Sequence, residues 1–169
     1  MKYNLVYSDF NKNYVTLALG DNINKSLANS TKQFLKLLED IPHGKIDYAY
    51  AAGKWTIKEV LQHIIDTERV FSYRIIRLAR LDATPLPGFD ENHWGNSMDV
   101  THKKWKELVR EFKQLRKSNL LMIAALTKDE LAFVGTASNQ PISTAAICFA
   151  LGGHVQHHMN ILKERYLKG

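Results

Sequence analysis

Hydrophobic and polar residues recur along this chain with the three-to-four-residue period of helices that bury one face. The first such stretch runs from Asp21, which would cap it, to Glu39, and Pro42 and Gly44 would end it. Residues 1–20 hold scattered aromatic side chains without a clear period. They are predicted to pack along the outside of the domain, with one short helical turn.

A second helix is predicted from Thr56 to about residue 81. Thr56 and Glu59 have the Ser/Thr-x-x-Glu spacing of a capping box, in which each side chain satisfies a backbone N–H at the helix start. Residues 82–95 hold two prolines and cannot form one helix. Because this connection is long for a helix–helix turn, it can let the second and third helices run parallel.

Two further helices complete the pattern. The third is predicted to be capped by Asn96, Ser97 or Asp99 and to extend to about residue 126, and the fourth begins at Ser143. No internal repeat, domain linker or strand signal interrupts this order, and residues 137–141 have the composition of a loop. The expectation is an all-α fold of four main helices, in a single domain over residues 1–169.

Composition narrows the class of protein. The chain has 169 residues, of which 45% are hydrophobic and 24% charged, as in ordinary soluble domains. It holds no apolar run near the roughly 18 residues of a membrane span, so the expected compartment is the cytoplasm and no membrane partner is expected. Cys148 is the single cysteine, which excludes an internal disulfide, and it is predicted to be an inert buried thiol.

The net charge of +6 permits attraction to nucleic acid or to an acidic small molecule. The basic residues of the third predicted helix are spaced along it instead of forming a block. We interpret them as a solvated helix face, with a functional basic stripe as the alternative: Lys103, Lys104, Lys106, Arg110, Lys113, Arg116 and Lys117.

The fourth helix carries the candidate chemistry. His154 and His158 fall on the same helical line as Ile147, Leu151 and Ile161, a line that is otherwise apolar and typical of a buried core. Two imidazoles four residues apart on one face can bind the same metal ion. His157 points off this line and is predicted to be a surface or supporting residue.

A third histidine lies in the second helix, at a similar distance along the helix axis from the helix end. His63 is about 10 Å from that helix's start and His158 about 13 Å from the chain's last helical residues, at about 1.5 Å rise per residue. The three rings would meet if the two helices are antiparallel neighbours. Three imidazoles and no thiolate describe an open site for zinc, nickel or another divalent ion. Val155 replaces the glutamate of the H-E-x-x-H motif, which argues against a zincin-type peptidase.

Three stretches of the chain resemble the DinB/YfiT-like family of metal-dependent proteins. They are GKWTIKEVLQH (residues 53–63), TPLPGFDEN (84–92) and GHVQHH (153–158). The resemblance implies a four-helix bundle in up-down-down-up order, often homodimeric, with a metal held by His63, His154 and His158. Members with an assigned activity act with low-molecular-weight thiols such as bacillithiol, so a thiol co-substrate is implied as well.

Several functional alternatives stay open. The leading hypothesis is a metal-dependent enzyme that transfers a thiol or hydrolyses a small-molecule substrate; the others are a non-catalytic metal or small-molecule binding stress protein and a basic nucleic-acid-associated protein. Asp90 and Glu91, in the 82–95 connection, are weak candidates for a catalytic base, and turn or capping roles explain them equally well.

Residues around the predicted histidine site have structural interpretations as well. Gly152 and Gly153 have three interpretations: close contact with another helix, room for a ligand, or a kink in the helix. Asp66 and Glu68 are predicted to lie on helix faces away from the histidines. Trp55 is predicted to be a packing residue.

Overall fold

The computed structural model describes residues 3–168 of the chain. Its helices and strands follow in chain order: α1 (Asp9–Ala18), α2 (Ile23–Asp40), α3 (Ile57–Ala79), α4 (Glu91–Ser97), α5 (Trp105–Ala124), α6 (Lys128–Ala132), β1 (Val134–Ala137), β2 (Gln140–Ser143) and α7 (Thr144–Ile161). A 3₁₀ turn, His43–Lys45, follows α2, and a wider π turn, Leu162–Tyr166, follows α7. The predicted first, second, third and fourth helices correspond to α2, α3, α5 and α7.

Two of the predicted helix starts are confirmed by their caps. At α3 the Thr56 backbone N–H donates to the Glu59 carboxylate at 2.7 Å, and the Glu59 N–H donates to the Thr56 hydroxyl at 3.2 Å. At α7 the Ser143 hydroxyl accepts the N–H of Ala146 at 3.3 Å. Both helices therefore begin where local chemistry satisfies their first free N–H groups.

Two other predicted starts are wrong. Helix α2 is capped by Asn22, whose side chain accepts the Lys25 N–H at 3.0 Å, and not by Asp21. Helix α5 begins at Trp105, later than the predicted caps at residues 96–99. Asp99 instead closes a local turn, because its carboxylate accepts the N–H of Thr101 two residues on.

Three segments expected to be irregular are ordered. The first 20 residues contain a ten-residue helix, α1, instead of one turn. The 82–95 connection leads into α4, whose N-terminal N–H groups bond to the Asp90 side chain. Residues 134–143 form the hairpin β1–β2, with Ser138 and Asn139 at positive φ in its two-residue turn. Leu86 pairs with the β1 edge, so the connection is fastened to the hairpin.

The directions of the four long helices follow from two core clusters. One cluster joins Leu27 near the start of α2 and residues 145–151 at the start of α7 to Ile75 and Ile123 near the ends of α3 and α5. The other joins the opposite ends of the same helices, and it contains Phe34 of α2, Val155 of α7, Leu61 of α3 and Phe112 of α5. Thus α2 and α7 run one way and α3 and α5 the other. The predicted up-down-down-up four-helix bundle is confirmed, with the long connection between its second and third helices.

Helix α1 packs tightly on α7 through two glycines. A Cβ atom on Gly153 would lie 1.6 Å from the Tyr14 carbonyl oxygen of α1. One on Gly152 would lie 3.4 Å from the Cβ of Ala18 in α1 and 3.1 Å from a methyl of Leu27 in α2. Of the interpretations left open for these glycines, the structure supports close helix contact. Within residues 3–168, no helix is both long and apolar enough to cross a membrane.

Candidate metal centre

The three predicted histidines converge inside the bundle. His63 comes from α3, and His154 and His158 come from successive turns of α7. The Nε2 atom of His154 lies 3.1 Å from that of His63 and 3.1 Å from that of His158. One ring nitrogen from each residue lies within 4.8 Å of the other two, and the residues are 5%, 3% and 8% exposed in chain order.

This geometry fits a divalent cation. Two nitrogens 3.1 Å apart, each about 2.0–2.1 Å from a shared ion, subtend about 95–102° at that ion, between the octahedral and tetrahedral angles. Hydrogen bonds among the rings satisfy the three nitrogens less well than a cation would. His154 Nε2 can carry a single N–H, and it faces two other Nε2 atoms. A cation would accept all three lone pairs at once.

Burial holds the rings in the form that binds metal. Burial, and secondly the charge on His157, lower the pKa of His63 to about 4. The pKa values of His154 and His158 are also well below the ordinary value, chiefly because of burial and secondly because of the neighbouring histidines. The three imidazoles are therefore neutral near pH 7, and neutral imidazole is the ligand state.

Aromatic side chains form the walls of the centre. The Trp55 ring lies 4.9 Å from the His63 ring, and the Phe71 ring lies 6.0 Å from the His154 ring. Tyr14, carried in by α1, lies edge-on to His154 at 5.4 Å. Trp55, predicted to be a packing residue, thus packs directly on one of the histidines.

Helix α4 closes the side of the centre next to Trp55. A Cβ atom on Gly95 would lie 2.3 Å from the Trp55 indole, so only glycine lets α4 come this close. The 82–95 connection and α1 therefore both contribute to the enclosure, although neither showed a strong periodic signal in the sequence.

The two weak catalytic candidates differ in their surroundings. The Asp90 carboxylate accepts the N–H groups of Asn92 and His93 and serves as the cap of α4. Glu91 is half-buried; burial raises its pKa, and the charge of Asp90 raises it further. The Glu91 charge also acts on Tyr14, whose pKa is raised first by burial and then by Glu91. Glu91 is therefore close enough to Tyr14 for its charge to act on the Tyr14 hydroxyl, and its catalytic role stays a prediction.

The other singled-out residues lie outside the cluster. His157 is half-buried, with its ring 5.5 Å from Tyr14. Cys148 is fully buried, and burial raises its pKa well above the ordinary range, in line with an inert thiol. Asp66 accepts a hydrogen bond from Gln62 on the outer side of α3.

A buried ion pair that was not predicted from the sequence lies beneath the centre. Arg116 and Glu68, with side chains 0% and 1% exposed, form two parallel hydrogen bonds of 2.6 and 2.5 Å. Asn119 donates to the same carboxylate at 2.9 Å, and Arg116 also reaches the Leu151 carbonyl oxygen of α7 at 3.2 Å. Arg116 therefore does not belong to a solvated basic face, and that assignment is wrong.

A signal for this pair exists in the sequence. Arg116 and Asn119 continue the buried line of α5 at helical spacing from Phe112 to Ile123. A cation on such a line needs a buried anion, and Glu68 of α3 is the one supplied.

Comparisons with known proteins agree with this architecture. The sequence profile described as the DinB superfamily matches residues 26–162. A protein of Oceanobacillus iheyensis named "Putative metal-dependent hydrolase" is 23% identical over 142 residues, covering 82% of this chain and 80% of the relative. A Bacillus cereus protein with the same name is 23% identical over 112 residues, covering 58% of this chain and 64% of the relative.

A solved structure shares the fold. It is YfiT from Bacillus subtilis, described as a probable metal-dependent hydrolase with an unusual four-helix bundle topology. The TM-score is 0.64 at 15% sequence identity, and the match covers 96% of this chain and 91% of the other.

Proposed function

This chain belongs to the DinB superfamily, and from that premise we propose that it is a metal-dependent enzyme acting on a small substrate. The observation that carries the proposal is the cluster of three buried, neutral imidazoles with their Nε2 atoms turned toward one another. Placing three polar rings in a helical core is costly unless each nitrogen has a partner. The names of the relatives support the same assignment.

The chain's own residues would perform three tasks. His63, His154 and His158 would hold the ion, which we propose to be zinc or nickel, and leave a position free for water or substrate. Trp55, Phe71 and Tyr14 would exclude bulk water. When bound, such an ion acidifies water or a thiol near neutral pH.

Hydrolysis and thiol transfer place different demands on the remaining residues. In hydrolysis a proton must leave the attacking water. Glu91, which is half-buried and whose charge acts on Tyr14, is the residue we propose to accept it. In transfer from a low-molecular-weight thiol, the thiol itself supplies the nucleophile. We propose hydrolysis as the first reaction to test and thiol transfer as the second, each with a small electrophilic substrate.

Elemental analysis of the purified protein tests the proposal. We expect about one divalent ion per chain in the wild type and a loss of at least tenfold in occupancy for His63→Ala, His154→Ala and His158→Ala. His157→Ala is the matched control: it removes an imidazole of the same helix whose ring packs on His158 at 5.1 Å but which contributes no nitrogen to the cluster. Equal metal content in all four variants would overturn the proposal.

Turnover separates an enzyme from a metal-binding protein. The metal-loaded protein is assayed against ester, amide and epoxide substrates, with and without added thiols. Activity that is lost in His158→Ala and retained in His157→Ala supports catalysis. Stoichiometric metal without any turnover would favour the non-catalytic alternative. The homodimer and the cytoplasmic location stay predictions. Light scattering, which measures the molar mass in solution, tests whether the protein is a homodimer.

A further inference from the structure

We propose that the hydroxyl of Thr67 is a positioning group of the histidine centre, which donates a hydrogen bond to the exchangeable ligand held beside the three imidazoles. The inference rests on the proposed function, because it assumes that the cluster binds a cation. It adds a residue that contacts the bound water, anion or substrate and that is not itself a ligand of the ion.

The first observation is an unpartnered buried hydroxyl. Thr67 is 2% exposed, and its Oγ1 atom has no hydrogen-bond partner among residues 3–168. Hydroxyl groups elsewhere in the helices donate to the carbonyl oxygen four residues earlier: Thr16 at 2.8 Å, Thr31 at 2.6 Å and Ser72 at 2.6 Å. The Thr67 hydroxyl does not make this bond to the carbonyl of His63.

The second observation is the position of Thr67. It lies one turn after His63 and one turn before Phe71, so the three side chains share a face of α3 at steps of about 6 Å. The His63 ring is 5.0 Å from the His154 ring, and the Phe71 ring is 6.0 Å from the same ring. Thr67 is therefore placed between two side chains that both face His154.

A hydroxyl without a hydrogen-bond partner is energetically unfavourable at position 67. A buried hydroxyl without a partner destabilises a fold, and valine would fill the same volume without that cost. Ile64 and Phe71, the buried neighbours three residues before and four residues after Thr67, are apolar, so valine suits the surroundings. A hydroxyl that can donate one hydrogen bond and accept two gains a partner only when a polar ligand occupies the centre.

The test uses Co²⁺-loaded protein with azide as the exchangeable ligand, followed by visible absorption. We compare the wild type, Thr67→Val and Thr67→Ser. Thr67→Val is expected to bind Co²⁺ as the wild type does and to bind azide about tenfold more weakly, the effect of losing one hydrogen bond to an anion. Thr67→Ser keeps the hydroxyl and is expected to stay within about twofold of the wild type.

Thr144→Val is the matched control. Thr144 is also fully buried, but its hydroxyl donates to the Phe133 carbonyl oxygen at 3.3 Å, at the first residue of α7. The variant is expected to lower the melting temperature and to leave azide binding unchanged. Thr67→Val without metal is expected to melt at the wild-type temperature or above, because it removes an unsatisfied group.

Each contrary result has a distinct meaning. Equal azide affinity in Thr67→Val and the wild type overturns the inference and leaves the proposed function intact. A lower melting temperature or lost Co²⁺ binding in Thr67→Val overturns it too, because the hydroxyl would then serve the fold or the imidazoles. Failure of the wild type to bind any divalent ion overturns both proposals.

Discussion

Replacing Arg116 by methionine should destabilise the bundle strongly. Among residues 3–168, the change leaves the buried Glu68 carboxylate with only the Asn119 amide as a partner, and it removes one hydrogen bond from the Leu151 carbonyl oxygen. Removing one member of a buried ion pair costs about 3–5 kcal/mol, against a total stability of about 5–15 kcal/mol for a domain. At roughly 2–4 °C per kcal/mol for a chain of this length, the melting temperature should fall by about 6–20 °C.

Urea unfolding at pH 7 measures the free energy directly, and a double variant separates the charge from the packing. Arg116→Met combined with Glu68→Met removes both charges and should recover most of the loss, since apolar residues of similar volume often replace a buried pair at little cost. Arg69→Met is the control, because its ion pair with Glu111 is partly exposed and worth at most about 1 kcal/mol. A loss below about 1 kcal/mol in Arg116→Met, or a double variant as unstable as the single one, would refute the reasoning.

Two further predictions concern α1 and acid stability. Gly153→Ala should cost about 3 kcal/mol or more in unfolding free energy, because its Cβ would meet the backbone of Tyr14, whereas Gly152→Ala meets a movable methyl and should be nearly neutral. Metal-free protein should lose stability as the pH falls from about 6.5 to about 4, because the unfolded chain protonates His63 while the folded chain does not. The change in the pKa of His63 alone predicts that the free energy of unfolding is lower by about 2 kcal/mol at about pH 5. Urea midpoints that do not change over this pH range, or that change by the same amount in His63→Ala, would contradict this prediction.

Local chemistry was sufficient for much of the fold. The capping residues Thr56 and Ser143 mark helix starts through hydrogen bonds within four residues, and the apolar period marks the buried face of each long helix. The spacing of His154 and His158 fixes their shared face for the same reason. The length of the 82–95 connection indicated that α3 and α5 run parallel, and the core clusters confirm it.

The hairpin and α1 were missed because their stability comes from partners distant in sequence. The β1–β2 turn has Ser138 and Asn139 in place of the usual Asn-Gly signal, and Leu86 extends the pairing from another part of the chain. Helix α1 has few buried residues of its own, and its position depends on the missing side chain at Gly153 of α7, where a Cβ atom would meet the Tyr14 backbone.

The sequence by itself determined the four long helices, their order, and the three histidines that lie at similar distances along α3 and α7. Only the tertiary structure decided which polar residues are buried: His63 of α3 is 5% exposed, and Glu68 and Arg116 pair in the core. The helical periodicity of a sequence shows which face of a helix is apolar, and this depends only on residues that are close together in the chain. The burial of a polar side chain depends on which helices pack beside it. Here α7 lies against His63 and α5 against Glu68, both from segments far away in the chain.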